Sequence, residues 1–484
     1  MEFENHAQRA LDTASAQGAQ YADVRFGSVR DEHVEIRNGV VAGLSDAESS
    51  GFSVRALVDG AWGFASSASL DDDEIDRVAA LAVEIARASR EVQTHRIDLL
   101  PAGKFVDTYK TPVEIDPSTI STSERVNYLL NVDKEMRATP GVTVSRAWID
   151  VWHTDKLFAS TEGSRITQNL VQCGSALTAL AVGNGDVQDR QYPGTAGLYQ
   201  TGGYEVINAA KLLENARRTG EEAVALLTAD QSPSGTKDIV LSGDQVSLQI
   251  HESIGHALEL DRVLGWEANF SGLSFATLDK LNTFRYGSDI VNVVCDMTCP
   301  KALATEGYDD EGTPAKSIDL IRKGVLVGYM AGRDTAATAD VGLAGVVRAE
   351  YWGRLPMIRI GNVNLLPGDA GSLDELFDGI EDGIYMESNR SWSIDDKRLN
   401  FQFGCQIGYE IKNGKKGRLL KNPTYAGMTP EFWASCDSIG DSSLWVAWGT
   451  PNCGKGEPLQ TARSCQGASP ARFRQVKVGV GYGG

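Results

Sequence analysis

The chain has 484 residues, more than one hydrophobic core usually organises, so two or three domains are expected. Its 46 Lys and Arg stand against 65 Asp and Glu, a net charge of −19 that argues against binding to nucleic acid or to anionic membrane surfaces. The N-terminal residues lack the cationic start and apolar stretch of a signal peptide, and no apolar run approaches the ~20 residues of a membrane span. We therefore expect a cytoplasmic protein.

The first half of the sequence predicts a mixed α/β domain. A helix over residues 3–17 precedes strands at 21–29 and 33–42, and Ser69 is expected to cap a helix over 70–88. A capping box at 121–124 starts a third helix, strands occupy much of 143–182, and a long helix covers 204–228. The polar segment 229–235 predicts a boundary, which places the N-terminal domain at residues 1–230.

The second domain, expected over residues 236–484, is predicted to be mainly β with one functional helix, which makes the whole chain α+β. A strand at 237–241 leads into a helix that starts at Ser242, where Ser-x-x-Gln has the form of a capping box. An apolar stripe with a four-residue period faces the core: Val246, Ile250, Ile254 and Leu258. Strand signals follow at 289–295, 318–329 and 403–420, and helical signal is weak outside 372–378.

The segment His251-Glu252-Ser253-Ile254-Gly255-His256 holds the only histidines beyond residue 153. Two imidazoles and a carboxylate are the donor set of zinc hydrolases, in which the carboxylate takes a proton from a metal-bound water. The two His are five residues apart, which leaves them about 140° apart on an ideal helix. We therefore predict a bulge or a helix end at Gly255. The alternative is a buried helix with two hydrogen-bonded histidines.

A catalytic zinc usually takes three protein ligands, and the sequence leaves the third open. The candidates are two nearby carboxylates, an acidic turn and several thiols: Glu259, Asp261, Asp309-Asp310-Glu311-Gly312-Thr313, Cys295, Cys299 and Cys453. Cys453 is preferred because small residues surround it and Lys455 would favour its thiolate. The seven cysteines are odd in number and scattered, so reduced thiols are expected rather than a disulfide framework.

The segment 251–259, the acidic turn 309–313 and Cys453-Gly454-Lys455 follow the order and approximate spacing of the TldD/PmbA family of metallopeptidases. The strand at 21–25 and the hairpin at 51–64 also resemble that family's N-terminal domain, so the resemblance spans nearly the whole chain. Because the metal motif is retained, the chain resembles the catalytic, TldD-like member.

The resemblance implies a Zn²⁺ site formed by His251, His256 and Cys453, with Glu252 as the general base. Cys465, twelve residues further on, is the rival thiol. The implied substrates are extended or unfolded peptides, and the implied partner is a motif-lacking, TldE/PmbA-like paralogue or a second copy of the chain.

Two other functions stay open, a metal-dependent hydrolase of a non-peptide amide and a binding or chaperone-like protein with a structural zinc. Tyr308 and Lys455 are candidates for the group that stabilises the oxyanion.

Overall fold

The computed structural model describes residues 2–270 and 272–479. Its α-helices are α1 Glu2–Ala16, α2 Asp72–Val92, α3 Thr122–Arg137, α4 Glu205–Ala210, α5 Leu212–Leu226, α6 Gly243–Ile250, α7 Leu260–Val263, α8 Arg333–Ala339, α9 Leu373–Phe377 and α10 Thr429–Ala434. Its strands in the first half are β1 Tyr21–Arg37, β2 Val40–Val58, β3 Ala61–Ser67, β4 Val106–Lys110, β5 Val142–Ser160, β6 Arg165–Gly183, β7 Asp186–Tyr192 and β8 Leu198–Thr201.

The strands of the second half are β9 Asp230–Gln231, β10 Gly235–Leu241, β11 Val293–Asp296, β12 Ser317–Arg322, β13 Val325–Leu326, β14 Val347–Arg348, β15 Met357–Ile358, β16 Val363–Leu365, β17 Asp382–Ile394, β18 Asn400–Lys412, β19 Lys415–Lys421, β20 Thr424–Met428, β21 Cys436–Ile439, β22 Val446–Lys455, β23 Gln460–Ala468 and β24 Ala471–Val478. The chain is therefore α+β, as predicted, with strands prevailing in the second half.

One long sheet organises the N-terminal half, in the strand order β3-β2-β1-β5-β6-β4, with β7 and β8 also paired to β6. Because side chains alternate across a strand, the sheet has two distinct faces. Ala22, Val24 and Phe26 of β1 lie on the face that packs against α1 and α2. Asp23 and Arg25, on the opposite face, point to the C-terminal half, where Arg25 donates a hydrogen bond to the Arg354 carbonyl. The sheet thus lies between its helices and the C-terminal half.

The C-terminal half is built around a second sheet in the order β17-β10-β24-β20-β18-β19-β9. Because β17 also pairs with β18, the strands β17, β10, β24, β20 and β18 close a ring. Helix α6 follows β10 directly and buries its apolar stripe in the largest core cluster of the molecule, with Val246, Ile250 and Ile254 fully buried. Helix α6 is therefore fixed by the main hydrophobic core of the C-terminal half.

Several predicted elements differ in detail from the structure. The two strands predicted at 21–29 and 33–42 are one continuous strand, β1, because both β2 and β5 pair along its length, and the Asn38-Gly39 turn comes after it. The helix predicted at 204–228 is broken at Lys211, whose left-handed backbone (φ 49°) ends α4 and precedes α5. Pairing with β2 and β5 explains the first difference, and the backbone conformation of Lys211 explains the second.

The predicted helix starts have three different outcomes. The capping box of α3 is confirmed, since Ser121 accepts from the Glu124 amide and Glu124 accepts from the Ser121 amide. The cap predicted at Ser69 is wrong, because α2 starts after Asp71 and the Ser69 hydroxyl donates to that carboxylate. Ser242 does precede α6, but its hydroxyl donates to Asp244 rather than capping a backbone amide.

Candidate metal centre

The helix that starts at residue 243 widens where the sequence predicted a bulge. Residues 251–255 form a π-helical turn in which the His256 amide donates to the His251 carbonyl, a bond across five residues. That turn places residues five apart on one face, so both imidazoles point the same way, with ring centroids 4.8 Å apart. The predicted bulge is therefore confirmed, and the spacing that would separate two His on an α-helix brings them together here.

Gly255 lies in the bulge for a reason other than backbone freedom. Its φ is −53°, an ordinary helical value that any residue could adopt. A Cβ at this position would lie 3.0 Å from the Ile360 side chain, so the glycine permits a close approach of the core to the turn. The Ser253 carbonyl inside the turn accepts a hydrogen bond from the Tyr286 hydroxyl, which satisfies a backbone group of the widened segment.

Cys453 reaches the two histidines from a distant hairpin. It lies on β22, whose pairing with β23 shifts register between Thr450 and Cys453, where one extra residue forms a bulge. Such a bulge re-aims the side chains that follow it. The Cys453 Sγ lies 3.6 Å from the His256 Nε2, although the two residues are 197 apart in sequence. A bulge on a hairpin therefore meets a bulge on a helix.

The donor atoms of His251, His256 and Cys453, called the metal trio below, lie within 4.8 Å of one another, and all three residues are buried. A sulfur at about 2.3 Å and a nitrogen at about 2.1 Å from a tetrahedral zinc lie about 3.6 Å apart, which matches the separation of Cys453 Sγ and His256 Nε2. The buried His251 Nδ1 has no hydrogen-bond partner among the described residues. The donor set and its spacing thus fit a metal ion such as zinc.

A chain of charges behind His256 fixes its orientation. Its Nδ1 donates to Glu259 Oε2 at 2.8 Å, which leaves Nε2 facing Cys453. Lys455 lies 3.2 Å from the other Glu259 oxygen and donates to both oxygens of Asp261 at 2.8 Å. Glu259 and Asp261, two of the sequence candidates for the third ligand, therefore lie behind the trio. Glu259 contacts His256, as carboxylates that orient a ligand histidine and raise its basicity do, whereas Asp261 is bonded to Lys455.

The electrostatics favour an ionised thiol in the metal trio. Burial raises the pKa of Cys453, but His256 and His251 outweigh burial and hold that pKa well below its ordinary value. Burial lowers the pKa of His251, but the Cys453 and Glu252 charges reverse the effect and raise it to about 9. These directions favour a thiolate at Cys453, and the thiolate is the form that binds metal ions.

Glu252 lies beside the trio and is paired with a residue that the sequence did not single out. Its side chain is 9 % exposed, and its Oε2 accepts a hydrogen bond of 2.5 Å from Arg398 Nη1. Burial raises the pKa of Glu252, but His251, His256 and Arg398 hold it below its ordinary value. Arg398 lies in the turn between β17 and β18, and no motif or periodicity in that turn marks it.

The acidic turn, residues 309–313, is used to join the two halves of the chain. Arg55 of β2 donates to Glu311 at 2.9 Å, and Lys156 of β5 donates to Asp310 at 3.2 Å. Asp309 accepts backbone hydrogen bonds from residues 311, 313 and 347. The structure therefore places this candidate for the third ligand away from the trio, with its oxygens already bonded to cations and amides.

The other candidate thiols also lie apart from the histidines. Cys299 and Cys465 belong to an apolar cluster with Leu303 and Tyr199, and Cys295 is fully buried in the main core. Burial raises the pKa of all three thiols above the ordinary value, which suits small apolar side chains rather than metal-binding thiolates. Among the residues that the structure describes, Cys453 is the thiol grouped with the histidines.

The trio opens into a cavity of about 840 Å³ between the two halves. One wall holds the trio, Glu252, Arg398 and Trp392. The other wall comes from the N-terminal sheet and contains His33, Arg146, Trp148, Asp150 and Tyr199. On that wall Asp150 accepts hydrogen bonds from the His33 Nδ1 at 2.6 Å and from the Tyr199 hydroxyl at 2.5 Å. Both halves of the chain therefore form the candidate site.

Family models match nearly the whole chain in three parts. They are described as PmbA/TldA metallopeptidase domain 1 at residues 22–86, the central domain at 115–229 and the C-terminal domain at 234–479. The chain belongs to this TldD/PmbA family, and it is a metallopeptidase. The family's architecture has three domains, and the two-domain division at 1–230 and 236–484 stays a prediction.

Individual relatives agree with this assignment. The chain is 29 % identical over 440 residues to metalloprotease MJ0996 of Methanocaldococcus jannaschii, covering 90 % of this chain and 92 % of the relative. It is 24 % identical over 479 residues to a zinc metalloprotease TldD homolog of Saccharolobus solfataricus, covering 98 % and 99 % of the two chains.

The fold also matches solved structures. TldE of Thermococcus kodakarensis aligns with a TM-score of 0.72 at 14 % identity, covering 99 % of this chain and 100 % of TldE. The Thermotoga maritima protein TM0727 aligns with a TM-score of 0.76 at 17 % identity, covering 98 % and 100 % of the two chains. At these identities the comparison establishes the fold. Within residues 2–270 and 272–479, no helix combines the length and apolar character needed to cross a membrane.

Proposed function

We propose that this metallopeptidase is zinc-dependent, that His251, His256 and Cys453 hold the ion, and that Glu252 is the general base. The observation that carries the proposal is the convergence of two widely separated parts of the chain on three donor atoms within 4.8 Å, next to a buried carboxylate. Within the described part of the chain the group has three members, which leaves a coordination position for water, as in catalytic rather than structural zinc sites.

A zinc ion in such a site supplies a water of lowered pKa and polarises the carbonyl that is attacked. Side chains of the protein transfer the proton and orient His256. Glu252 accepts a proton from the attacking water while the water oxygen bonds to the scissile carbon. It then returns that proton to the amide nitrogen as the carbon–nitrogen bond breaks. Glu259 and Lys455 keep His256 in the tautomer that presents Nε2 to the ion.

The shape of the cavity favours an extended peptide as the substrate. Its volume of about 840 Å³ can accept a few residues of chain but no folded domain. Its walls carry aromatic rings, Trp148 and Trp392, together with polar groups, a combination that binds side chains and backbone of an extended segment. We therefore propose unfolded or extended peptides rather than small amide metabolites as substrates.

The decisive experiment is Glu252→Gln, assayed for cleavage of a mixed fluorogenic peptide library and for zinc content by mass spectrometry. We expect kcat to fall by about 10²–10⁴-fold with zinc retained, since a lost general base removes that much. Glu91→Gln, an exposed glutamate on α2, is the matched control and should keep full activity. Peptide cleavage at the wild-type rate by Glu252→Gln would contradict the assignment of the base.

We also propose that the chain acts as a dimer, with a TldE-like paralogue or with a second copy of itself. The similarity of its fold to TldE supports such pairing, because related subunits of one fold commonly associate through symmetric surfaces. Light scattering during size-exclusion chromatography, with and without a co-expressed paralogue, tests it. A monomer under both conditions would contradict the proposal.

A further inference from the structure

We propose that Arg398 contacts the substrate and donates a hydrogen bond to the oxygen of the scissile carbonyl as negative charge develops on it. This inference rests on the proposed peptidase function and adds a residue to it. It assigns to Arg398 the role of oxyanion donor, for which the sequence suggested Tyr308 or Lys455.

The backbone that carries Arg398 is held firmly. The Arg398 amide donates to the Asp395 carbonyl at 2.9 Å, and the Arg398 carbonyl accepts from the Thr429 hydroxyl at 2.8 Å. The next amide, of Leu399, donates to the Asp395 carboxylate at 2.7 Å. Arg398 itself has a φ of 62°, in the left-handed region that non-glycine residues seldom occupy. A strained conformation maintained by several hydrogen bonds is a feature found at functional sites.

The Arg398 guanidinium has N–H donors that its contact with Glu252 does not use. Arginine offers five N–H groups, and the interaction with Glu252 uses Nη1. The Nε is buried, without a hydrogen-bond partner among residues 2–270 and 272–479, so the donor for a bound peptide is one of the remaining N–H groups of the two terminal nitrogens. The side chain is 14 % exposed and lines the cavity that contains the trio. Arg398 can therefore keep Glu252 in place with one nitrogen and present another N–H to a bound peptide.

The two sequence candidates for this role are occupied elsewhere. The Tyr308 hydroxyl donates to Asp107 at 2.7 Å, outside the residues that line the cavity. The Lys455 ammonium is fully buried and donates to Asp261 and to the Ile358 carbonyl. Arg146, another cation of the cavity, lies on the opposite wall, where it pairs with Glu35 at 2.8 Å. Arg398 is the cavity cation that directly contacts the proposed base.

The charge that Arg398 would stabilise arises during the hydrolysis itself. When the water oxygen bonds to the scissile carbon, its proton goes to Glu252 and the electron pair of the carbonyl moves to the carbonyl oxygen. That oxygen becomes the oxyanion, and an arginine N–H in a site largely closed to water stabilises it more than the neutral carbonyl. When the carbonyl reforms, the amide bond breaks and Glu252 delivers the proton to the leaving nitrogen. No reactant other than water is required.

The alternative is that Arg398 only positions Glu252 and offsets its buried charge. The two roles are separated by a phosphinic peptide, a non-cleavable analogue whose tetrahedral phosphorus bears an oxygen with negative charge, as the oxyanion does. Its affinity is measured by calorimetry for zinc-loaded wild type, Arg398→Ala and Arg398→Lys. The same measurement is repeated for Glu252→Gln and for Glu252→Gln combined with Arg398→Ala.

We expect Arg398→Ala to lower both kcat and the affinity for the phosphinic peptide by about 10²-fold, the loss typical of one oxyanion donor. The KM for a peptide substrate should change by less than about 3-fold. The kcat and the inhibitor affinity of Arg398→Lys should lie between those of the wild type and those of Arg398→Ala. The loss of inhibitor affinity should persist in the Glu252→Gln background. Arg418→Ala, an exposed arginine on β19, is the control for removal of one charge and should leave both quantities unchanged.

Two outcomes overturn the inference. Equal inhibitor affinity in wild type and Arg398→Ala, at equal zinc content, shows that Arg398 does not contact the oxyanion. Loss of the Arg398→Ala effect in the Glu252→Gln background shows that Arg398 acts through Glu252 alone. A wild-type protein that cleaves no peptide and binds no phosphinic peptide instead contradicts the proposed function itself, and Arg398→Lys covers the case in which the alanine variant does not fold.

Discussion

Two buried, charge-rich regions of the C-terminal half both offered candidate metal ligands in the sequence, and they differ in structure. The first is the metal trio with Glu252, and the second is the acidic turn at residues 309–313. In the first region three donor atoms lie within 4.8 Å of one another at a cavity wall. In the second, the carboxylates of Asp310 and Glu311 pair with Lys156 and Arg55 of the N-terminal sheet.

This contrast indicates that convergence of donors, rather than their density, is what makes a group of side chains able to hold a metal ion. The acidic turn offers three carboxylates in five residues, yet their oxygens are bonded to cations of the N-terminal sheet and to backbone amides. The metal trio contains fewer charges, but its donors point at one place and the buried His251 Nδ1 has no partner among the described residues. Four predictions, given in order of decreasing effect, test this contrast.

The largest effect is expected from Cys453→Ser. Replacing the thiolate by a hydroxyl removes a proposed ligand whose pKa is held well below its ordinary value, and it should reduce bound zinc from about one equivalent to near none after dialysis, measured by mass spectrometry. Cys465→Ser is the matched control, because Cys465 lies in an apolar cluster, and it should retain zinc. Zinc at full occupancy in Cys453→Ser would contradict Cys453 as the third ligand. Loss of zinc in Cys465→Ser would assign that role to Cys465.

A large effect of a different kind is expected from Glu311→Gln. It leaves Arg55 with a weakened buried partner and should lower the free energy of unfolding by about 3 kcal/mol, measured by urea denaturation, with zinc content unchanged. Asp72→Asn, which removes a carboxylate from an exposed pair with Arg9, is the comparison and should lower the free energy of unfolding far less. If Glu311→Gln lost its zinc while remaining folded, the structural role of the acidic turn would be refuted.

A smaller effect is expected from Glu259→Gln. The variant removes the charge that orients His256 and should weaken zinc binding by about 10–100-fold in competition with a chelator. Asp261→Asn is the informative comparison, because Asp261 also pairs with Lys455 but does not contact His256. We expect a weaker effect from Asp261→Asn, and equal losses in both variants would show that the Lys455 charge, rather than the His256 contact, matters.

The smallest effect concerns pH. Burial raises the pKa of Asp310, but Lys156 and Arg25 outweigh burial and hold it below its ordinary value. A carboxylate with a depressed pKa in the folded state contributes stability above its unfolded value of about 3.9, and the contribution is lost as pH falls through the folded value.

Asp310→Asn should therefore be less stable than the wild type at pH 7. The difference between the two unfolding free energies should shrink progressively below about pH 4. Urea denaturation of both proteins between pH 3 and pH 7 measures that difference, and a constant difference over the range would contradict the ion pairing.

Some of the local features could be predicted from the sequence. Hydrogen bonds between neighbours decide helix starts such as that of α3, and the five-residue spacing of His251 and His256 required a widened turn, because only that geometry puts both rings on one face. The sequence also identified the family from motifs that lie in order along the chain. The residue range of β1 could not be predicted from the sequence, since pairing with the distant strand β5 and with β2 sets where β1 begins and ends.

The contacts between distant parts of the chain depend on the tertiary structure. The sequence favoured Cys453 and left Cys465 as its rival; a bulge in β22 aims the Cys453 thiol at His256, and Cys465 lies in an apolar cluster. Arg398 meets Glu252 because a strand turn brings it across 146 residues of chain. Sheet register and packing within the C-terminal half fix these contacts, and neither is encoded in the spacing of the residues concerned. Packing between the two halves gives the acidic turn its role of joining them.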